Sequence, residues 1–215
     1  RAFPAALVAL LKCSKLGVAV DIASSLPMER VAEMVPALRE AGLLINLLNA
    51  LPVDTVDLLL TNLSLSSARD VVQELDLALA VQVLSLAPRG ELLCLLDAKF
   101  LGKVLAVADA EQTRGVVGAL EAAWKTAAHK FATVQVLVEA MGTMPQVVAG
   151  KLLQETSASL AREILQEVNV HLVAETFMHM PAQRVADVFS GRASSGASQM
   201  SSTLAGMWKG RRKGG

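Results

Sequence analysis

Two stretches that lie 154 residues apart, LPMERVAEMV at 26–35 and MPAQRVADVF at 180–189, share one pattern of apolar residues. The apolar positions recur at i, i+3, i+4 and i+7, which places their side chains on one face of an α-helix. These positions are Met28, Val31, Ala32 and Val35 in the first stretch and Ala182, Val185, Ala186 and Phe189 in the second. A proline precedes each set, as the first turn of a helix tolerates. Both stretches therefore predict short amphipathic helices.

Related helix openings recur between these two stretches. They are LPVDTVDLLL at 51–60, LSLSSARDVV at 63–72, LAPRGELLCLL at 86–96 and MPQVVAGKLL at 144–153. Their irregular spacing indicates a degenerate repeat rather than a strict period. We expect residues 1–108 to form roughly eight short helices that are stable only when stacked into a superhelix. Val31, Val35, Leu58 and Leu60 are the predicted core residues of this region.

The region at 109–190 has a different pattern. Asp109 and Gln112 have the spacing of a capping box at the start of a helix. A heptad seam then follows through Val117, Leu120, Trp124, Ala127, Phe131, Val134, Val138 and Met141. This seam predicts one helix of about 30 residues that packs along a second helix. The second long helix is predicted from Ser157 to His179, so the two form an antiparallel hairpin or, alternatively, the first binds a helix of another protein.

The segment 191–215 is rich in Gly and Ser and contains five basic residues and no acidic residue. Because the whole chain has no net charge, the other 190 residues carry a net charge of −5. We expect this basic extension to contact a partner, which is an acidic protein surface, a lipid headgroup or, less favoured, a nucleic acid, and the alternative is a solvated tail without a specific partner. The predicted partner-binding residues are Leu204, Met207, Trp208, Lys209, Arg211, Arg212 and Lys213.

The composition favours an all-α protein with other protein subunits as partners. Hydrophobic residues make up 53% of the chain, aromatic residues make up 3%, and tyrosine is absent. No uncharged run inside the body reaches the eighteen residues of a membrane-spanning helix, so we predict no transmembrane span. The apolar surplus indicates surface that a partner covers. This surplus and a first residue that is not Met favour an organelle, plastid or mitochondrion, with the protein soluble or peripheral to a membrane complex.

The sequence shows no phosphate-binding loop, no nucleophile elbow and no paired-cysteine metal site, so we predict neither catalytic residues nor a cofactor. Cys13 and Cys94 are expected to be reduced, buried packing residues, although a disulfide is the alternative. The second long helix is predicted to carry a polar stripe whose members follow one another at i+4: Glu163, Glu167, His171, Glu175 and His179. This stripe is predicted to be a solvated face, with zinc binding by His171, Glu175 and His179 as the alternative.

Short helices that begin with Leu-Pro and stack without strands resemble the intracellular N-terminal domain of MgtE-type magnesium transporters and the helical repeats of the flagellar motor switch protein FliG. The resemblance is carried by LPMERVAEMV, LPVDTVDLLL and LSLSSARDVV, with 95–120 as a further stretch, and covers about half of the chain. These repeats are poor in charge where those of the family are dense in Glu. The resemblance implies a helical superhelix that presents surface to another protein, and it implies neither magnesium transport nor ion-binding residues.

We therefore predict a non-catalytic scaffold or accessory subunit of a large multi-protein assembly. An RNA-binding or anionic-lipid-binding protein that uses the basic extension is the first alternative. A metal-dependent protein that uses the histidine stripe is the second.

Overall fold

The computed structural model of the chain describes residues 2–86 and 89–190, and within these ranges it contains fifteen α-helices and no strand. The predicted all-α fold is therefore confirmed. The helices are α1 (Ala2–Cys13), α2 (Leu16–Ser25), α3 (Met28–Glu40), α4 (Leu44–Ala50), α5 (Val53–Thr61), α6 (Leu65–Glu74), α7 (Leu77–Leu86), α8 (Gly90–Leu95), α9 (Ala98–Val107), α10 (Ala110–Trp124), α11 (Lys130–Met141), α12 (Gln146–Glu155), α13 (Ala158–Glu167), α14 (Val170–Phe177) and α15 (Ala182–Phe189).

Prolines open four of these helices. Pro27, Pro52, Pro145 and Pro181 each occupy the N-cap position, one residue before the first helical residue. Each proline carbonyl accepts a hydrogen bond from the amide four residues later, at 3.1 to 3.2 Å. Because a helix start has amides without intrahelical partners, a residue that lacks an N–H costs nothing there. The Leu-Pro and Met-Pro openings predicted from the sequence therefore mark real helix starts.

Polar caps define other helix starts. The Ser64 hydroxyl accepts a hydrogen bond from the amide of Ser67 at the start of α6. Asp109 and Gln112 form the predicted capping box, in which each side chain accepts a hydrogen bond from the other residue's amide. At the end of α3, Gly42 has a φ of +69°, a conformation that costs a residue with a side chain more than it costs glycine.

The helices pack mainly on the helices two positions away in the chain. The odd-numbered helices form one continuous row from α1 to α15, and α6, α8, α10, α12 and α14 form a second row beside it. Helix α2 packs on α4 in the same manner, and α10 also contacts α7 and α11 across the rows. Contacts with near neighbours in sequence are typical of stacked helical repeats, in which no single helix is stable alone.

Two glycines allow helices to approach closely at the centre of this stack. A Cβ atom added to Gly90 of α8 would lie 2.3 Å from the carbonyl oxygen of Ala119 in α10. One added to Gly115 of α10 would lie 2.6 Å from the carbonyl oxygen of Ser85 in α7. Both distances are too short for any side chain, so glycine is required where α10 meets its neighbours.

The buried residues form one hydrophobic cluster that extends from Val8 to Val188. Val31, Val35 and Leu60 belong to it, as predicted. Leu58 does not, because 52% of its surface is exposed. On α5 the buried positions are Val56, Leu59 and Leu60, and Leu58 points about 100° away from Leu59 around the helix axis. The three consecutive leucines at 58–60 do not by themselves indicate which one is exposed.

The prediction of one helix of about 30 residues through the heptad seam is wrong. The chain forms α10 and α11 instead, separated by turns at residues 125–129. At the break, both the amide and the hydroxyl of Thr126 donate to the carbonyl of Ala123, at 2.9 Å and 2.7 Å. A side chain that bonds nearby backbone in this way competes with helix continuation.

The second predicted long helix, from Ser157 to His179, is also divided. Helix α13 ends at Glu167, and the next residue, Val168, has an extended ψ of 144°. Asn169 then caps α14, and its side-chain oxygen accepts a hydrogen bond from the amide of His171 at 2.9 Å. Asparagine is among the preferred N-cap residues, so it was the available signal for a new helix start.

The predicted boundaries at residues 108 and 190 stay predictions. Helix α10, which begins just after the first of them, packs on α7 and α8, which come before it. None of the described helices has both the length and the apolar character needed to cross a membrane, in agreement with the prediction of no span.

Candidate functional site

The partner-binding residues predicted in the basic extension lie outside the described residues. This holds for all seven of them: Leu204, Met207, Trp208, Lys209, Arg211, Arg212 and Lys213. The candidate site is therefore sought on the surface of the fifteen helices.

The polar stripe predicted as a possible metal site does not lie on one helix. Glu163 belongs to α13, His171 and Glu175 belong to α14, and His179 follows the end of α14. Glu175 instead accepts a hydrogen bond from Gln146 of α12 at 3.1 Å. Within the part of the chain that the structure describes, no group of three or more His, Cys, Asp or Glu side chains is placed to hold a metal ion. His171 and Glu175 keep their i+4 spacing on α14, but the helix ends at Phe177, so His179 leaves the register on which the zinc alternative depended.

A groove lies between α11 and α13, and its volume is about 720 Å³. Its lining consists of Ala127, Lys130, Phe131, Val134, Gln135, Val138, Glu139, Glu163, Gln166 and Glu167. The apolar members come from α11 and the turn before it, and they are here called the floor of the groove, with the charged and polar members as its rim. Phe131 is exposed over 78% of its surface, which is the largest value among the exposed large apolar residues described.

The break between α10 and α11 explains this exposure. In an unbroken heptad seam, Ala127 and Phe131 would face the partner helix together with Leu120 and Val134. In the structure Leu120 and Val134 are buried, whereas Ala127 and Phe131 are exposed. The turns at 125–129 change the direction of the chain, so the middle of the seam faces outward. Sequence reasoning missed the groove because it assigned Phe131 to a buried position.

One corner of the groove is fixed by a polar cluster around Glu163. The carboxylate accepts hydrogen bonds from Trp124 Nε1 at 2.9 Å and from the Lys130 ammonium at 2.7 Å. The same ammonium lies 5.4 Å from the centre of the Trp124 ring, within the range of a cation–π contact. Burial alone would raise the pKa of Glu163, but the hydrogen bonds from Lys130 and Trp124 and the lysine charge lower it below its ordinary value.

The remaining rim of the groove is acidic. Glu139 accepts a hydrogen bond from Gln135 of the same helix at 3.1 Å, and Glu167 is exposed on α13. Lys130 is paired with Glu163, and among the described residues no cation pairs with Glu139 or Glu167, so these two carboxylates add negative charge along the groove. An apolar floor with an acidic rim fits a ligand that is both apolar and basic.

The two cysteines differ from the prediction of buried packing residues. Cys13 is exposed and Cys94 is half-buried, and both are free. The Cys94 sulfur lies 3.2 Å from the Thr133 hydroxyl. Burial raises the pKa of the Cys94 thiol, contact with Thr133 opposes the rise, and the charge of Glu91 adds to it. A raised pKa lowers the thiolate fraction of Cys94, and the thiolate is the nucleophilic form of a cysteine.

Comparisons with protein-family models, with curated proteins and with solved structures gave no match for this chain. The resemblance to the MgtE-type N-terminal domain and to FliG-like repeats therefore stays a prediction. The function has to be inferred from the surface that the helices present.

Proposed function

We propose that this protein is a non-catalytic scaffold or accessory subunit of a larger protein assembly. The observation that carries the proposal is the exposed Phe131 in a groove whose floor is apolar and whose rim is charged. Apolar surface bounded by polar residues is typical of protein-binding sites, and large aromatic residues are enriched in them. A groove between two helices is also a common docking place for a peptide segment of a partner.

Further apolar residues on the outside of the stack support a role in assembly. Those that expose more than two fifths of their surface besides Phe131 are Leu10, Leu16, Val18, Leu58, Leu65, Leu86, Leu95, Val107, Val147, Val170 and Met178. They occur on helices from α1 to α14, as is expected of a stack that contacts neighbours along its length.

We propose the basic extension as a second contact element. Leu204, Met207 and Trp208 supply apolar anchors, and the cluster at 209–213 supplies positive charge for an acidic protein surface or a lipid headgroup. Binding of nucleic acid by this cluster, and an organellar location, stay predictions from the sequence.

Native mass spectrometry of gently extracted material tests the proposal. Three chains are compared: the intact chain, the variant Phe131→Ser and a chain that ends after Ser190. We expect the intact chain to occur in a complex and Phe131→Ser to lose partners, because a serine removes the aromatic anchor. As most of the Phe131 surface is already in water, the substitution should change the free energy of unfolding by less than about 0.5 kcal/mol.

The matched control is Phe100→Ser. Phe100 lies on α9 and packs partly against the core, so Phe100→Ser should destabilise the fold. Its partner loss then shows how much binding is lost through unfolding alone. If the intact chain is a free monomer under all extraction conditions, or if Phe131→Ser keeps every partner, the groove is not a subunit interface and the proposal fails.

A further inference from the structure

We infer that the groove between α11 and α13 binds the chain's own basic extension through the segment 204–213. This inference rests on the proposed function to the extent that it treats the groove as a protein-binding surface. It adds the identity of an occupant and a consequence, because a segment bound in the groove competes with a partner for the same surface.

Chemical complementarity is the first argument. The segment 204–213 contains Leu204, Met207 and Trp208 together with four basic residues, and it has no acidic residue. The groove offers the apolar side chains around Phe131 and the carboxylates of Glu139 and Glu167, which form no ion pair with another described residue. The aromatic and aliphatic anchors of the segment fit the floor, and its guanidinium and ammonium groups fit the rim.

The place where the extension starts is the second argument. Helix α15 packs on α13, which is also one wall of the groove. The guanidinium of Arg162 donates a hydrogen bond to the carbonyl of Val188 at 2.9 Å. Arg162 directly precedes Glu163, which lines the groove. The extension therefore begins beside the helix that carries the site.

The length of the connection is the third argument. Fourteen residues lead from Ser190 to Leu204. An extended chain of that length reaches about 46 Å, whereas a helix of ten residues such as α13 is about 15 Å long. The reach is thus sufficient to pass along α13 and enter the groove. A tethered segment is also present at an effective concentration of order millimolar, so that even weak contacts hold it in place.

Disulfide trapping in the full chain tests the inference. Cys13→Ser and Cys94→Ala remove the native thiols, and an unfolding curve verifies that this background folds. Gln135→Cys then places a thiol on the groove rim, and Ala205→Cys places one in the segment. We expect a bond within one chain, seen as faster migration without reducing agent and as a linked peptide pair in mass spectrometry.

The matched control replaces Gln135→Cys by Gln183→Cys. Gln183 is exposed on α15 and lies only eight positions before residue 191. Because it is close to the extension along the chain, random collisions alone would form a disulfide faster at Gln183→Cys than at Gln135→Cys. We expect trapping at the groove to be about tenfold faster than at the control. Adding Glu139→Gln with Glu167→Gln, or Arg211→Gln with Arg212→Gln, should slow the groove reaction severalfold, as should 1 M salt.

Two results would overturn the inference. One is trapping at the groove that is absent or no faster than at the control, and the other is a bond that forms only between two chains, which would make a second copy the occupant. These results are distinguishable from a failure of the proposed function. Absence of trapping together with loss of partners in Phe131→Ser leaves the groove as a partner site, whereas trapping without any partner leaves it as an intramolecular contact.

Discussion

At the scale of single residues, glycine is needed where two helices touch. Gly90→Ala should destabilise the protein by about 1–3 kcal/mol, because the new methyl group would meet the backbone of Ala119 and the Cβ of Ala123. Urea denaturation measures the change. Gly118→Ala is the control, since nothing lies within 4 Å of an added Cβ there, and alanine should gain about 0.5–1 kcal/mol in helix α10. Similar effects of the two substitutions would contradict the close approach of α8 and α10.

The carboxylate of Glu163 gives the protein a pH-dependent stability. Its pKa in the folded chain lies below its ordinary value, so its contribution is present above the unfolded pKa of about 4.3 and is lost as the pH falls through the lower folded pKa. The difference in unfolding free energy between the native chain and Glu163→Gln should therefore be largest near neutral pH and vanish in acid. Denaturation curves from pH 3 to pH 7 test this. A difference that grows on acidification would show that the sign is wrong.

At the scale of the element, the start of α14 depends on one cap. Asn169→Ala should cost about 1 kcal/mol, because the amide of His171 loses its acceptor. Asn169→Asp should retain most of the stability, since a carboxylate accepts the same hydrogen bond and also favours the positive end of the helix. Urea denaturation of the three chains compares them. Equal stability of the alanine and aspartate variants would mean that tertiary packing alone holds the start of α14.

At the scale of the whole molecule, stability should fall from the centre of the stack to its ends. Helix α10 packs on α7, α8, α11 and α12, whereas α15 packs mainly on α13. In such an arrangement a terminal helix can open without disrupting the rest. Native-state hydrogen exchange should show opening free energies in α10 that exceed those in α15 by about 2 kcal/mol or more. Uniform protection along the chain would instead indicate one cooperative unit.

Local chemistry in the sequence determined the helical class and many helix starts. The prolines at 27, 52, 145 and 181, the serine at 64 and the capping box at 109–112 act within one turn of the chain, so their effect can be predicted without knowledge of the neighbours. The cap at Asn169 is equally local, so that residue signals the break between α13 and α14. The break at 125–129 has no such signal, because threonines with similar hydrogen bonds to backbone, such as Thr133, lie inside helices.

Only the tertiary structure decided which apolar side chains are left outside. A heptad pattern is satisfied equally by one long helix and by two shorter helices at an angle, because apolar spacing does not specify where a partner lies. Packing of α11 on α9 and α13 buries Val134 and leaves Phe131 in the groove, and packing of α5 on α3 and α7 leaves Leu58 in water. Burial is a property of neighbours that are distant in sequence, so the candidate site became visible only when the helices were assembled.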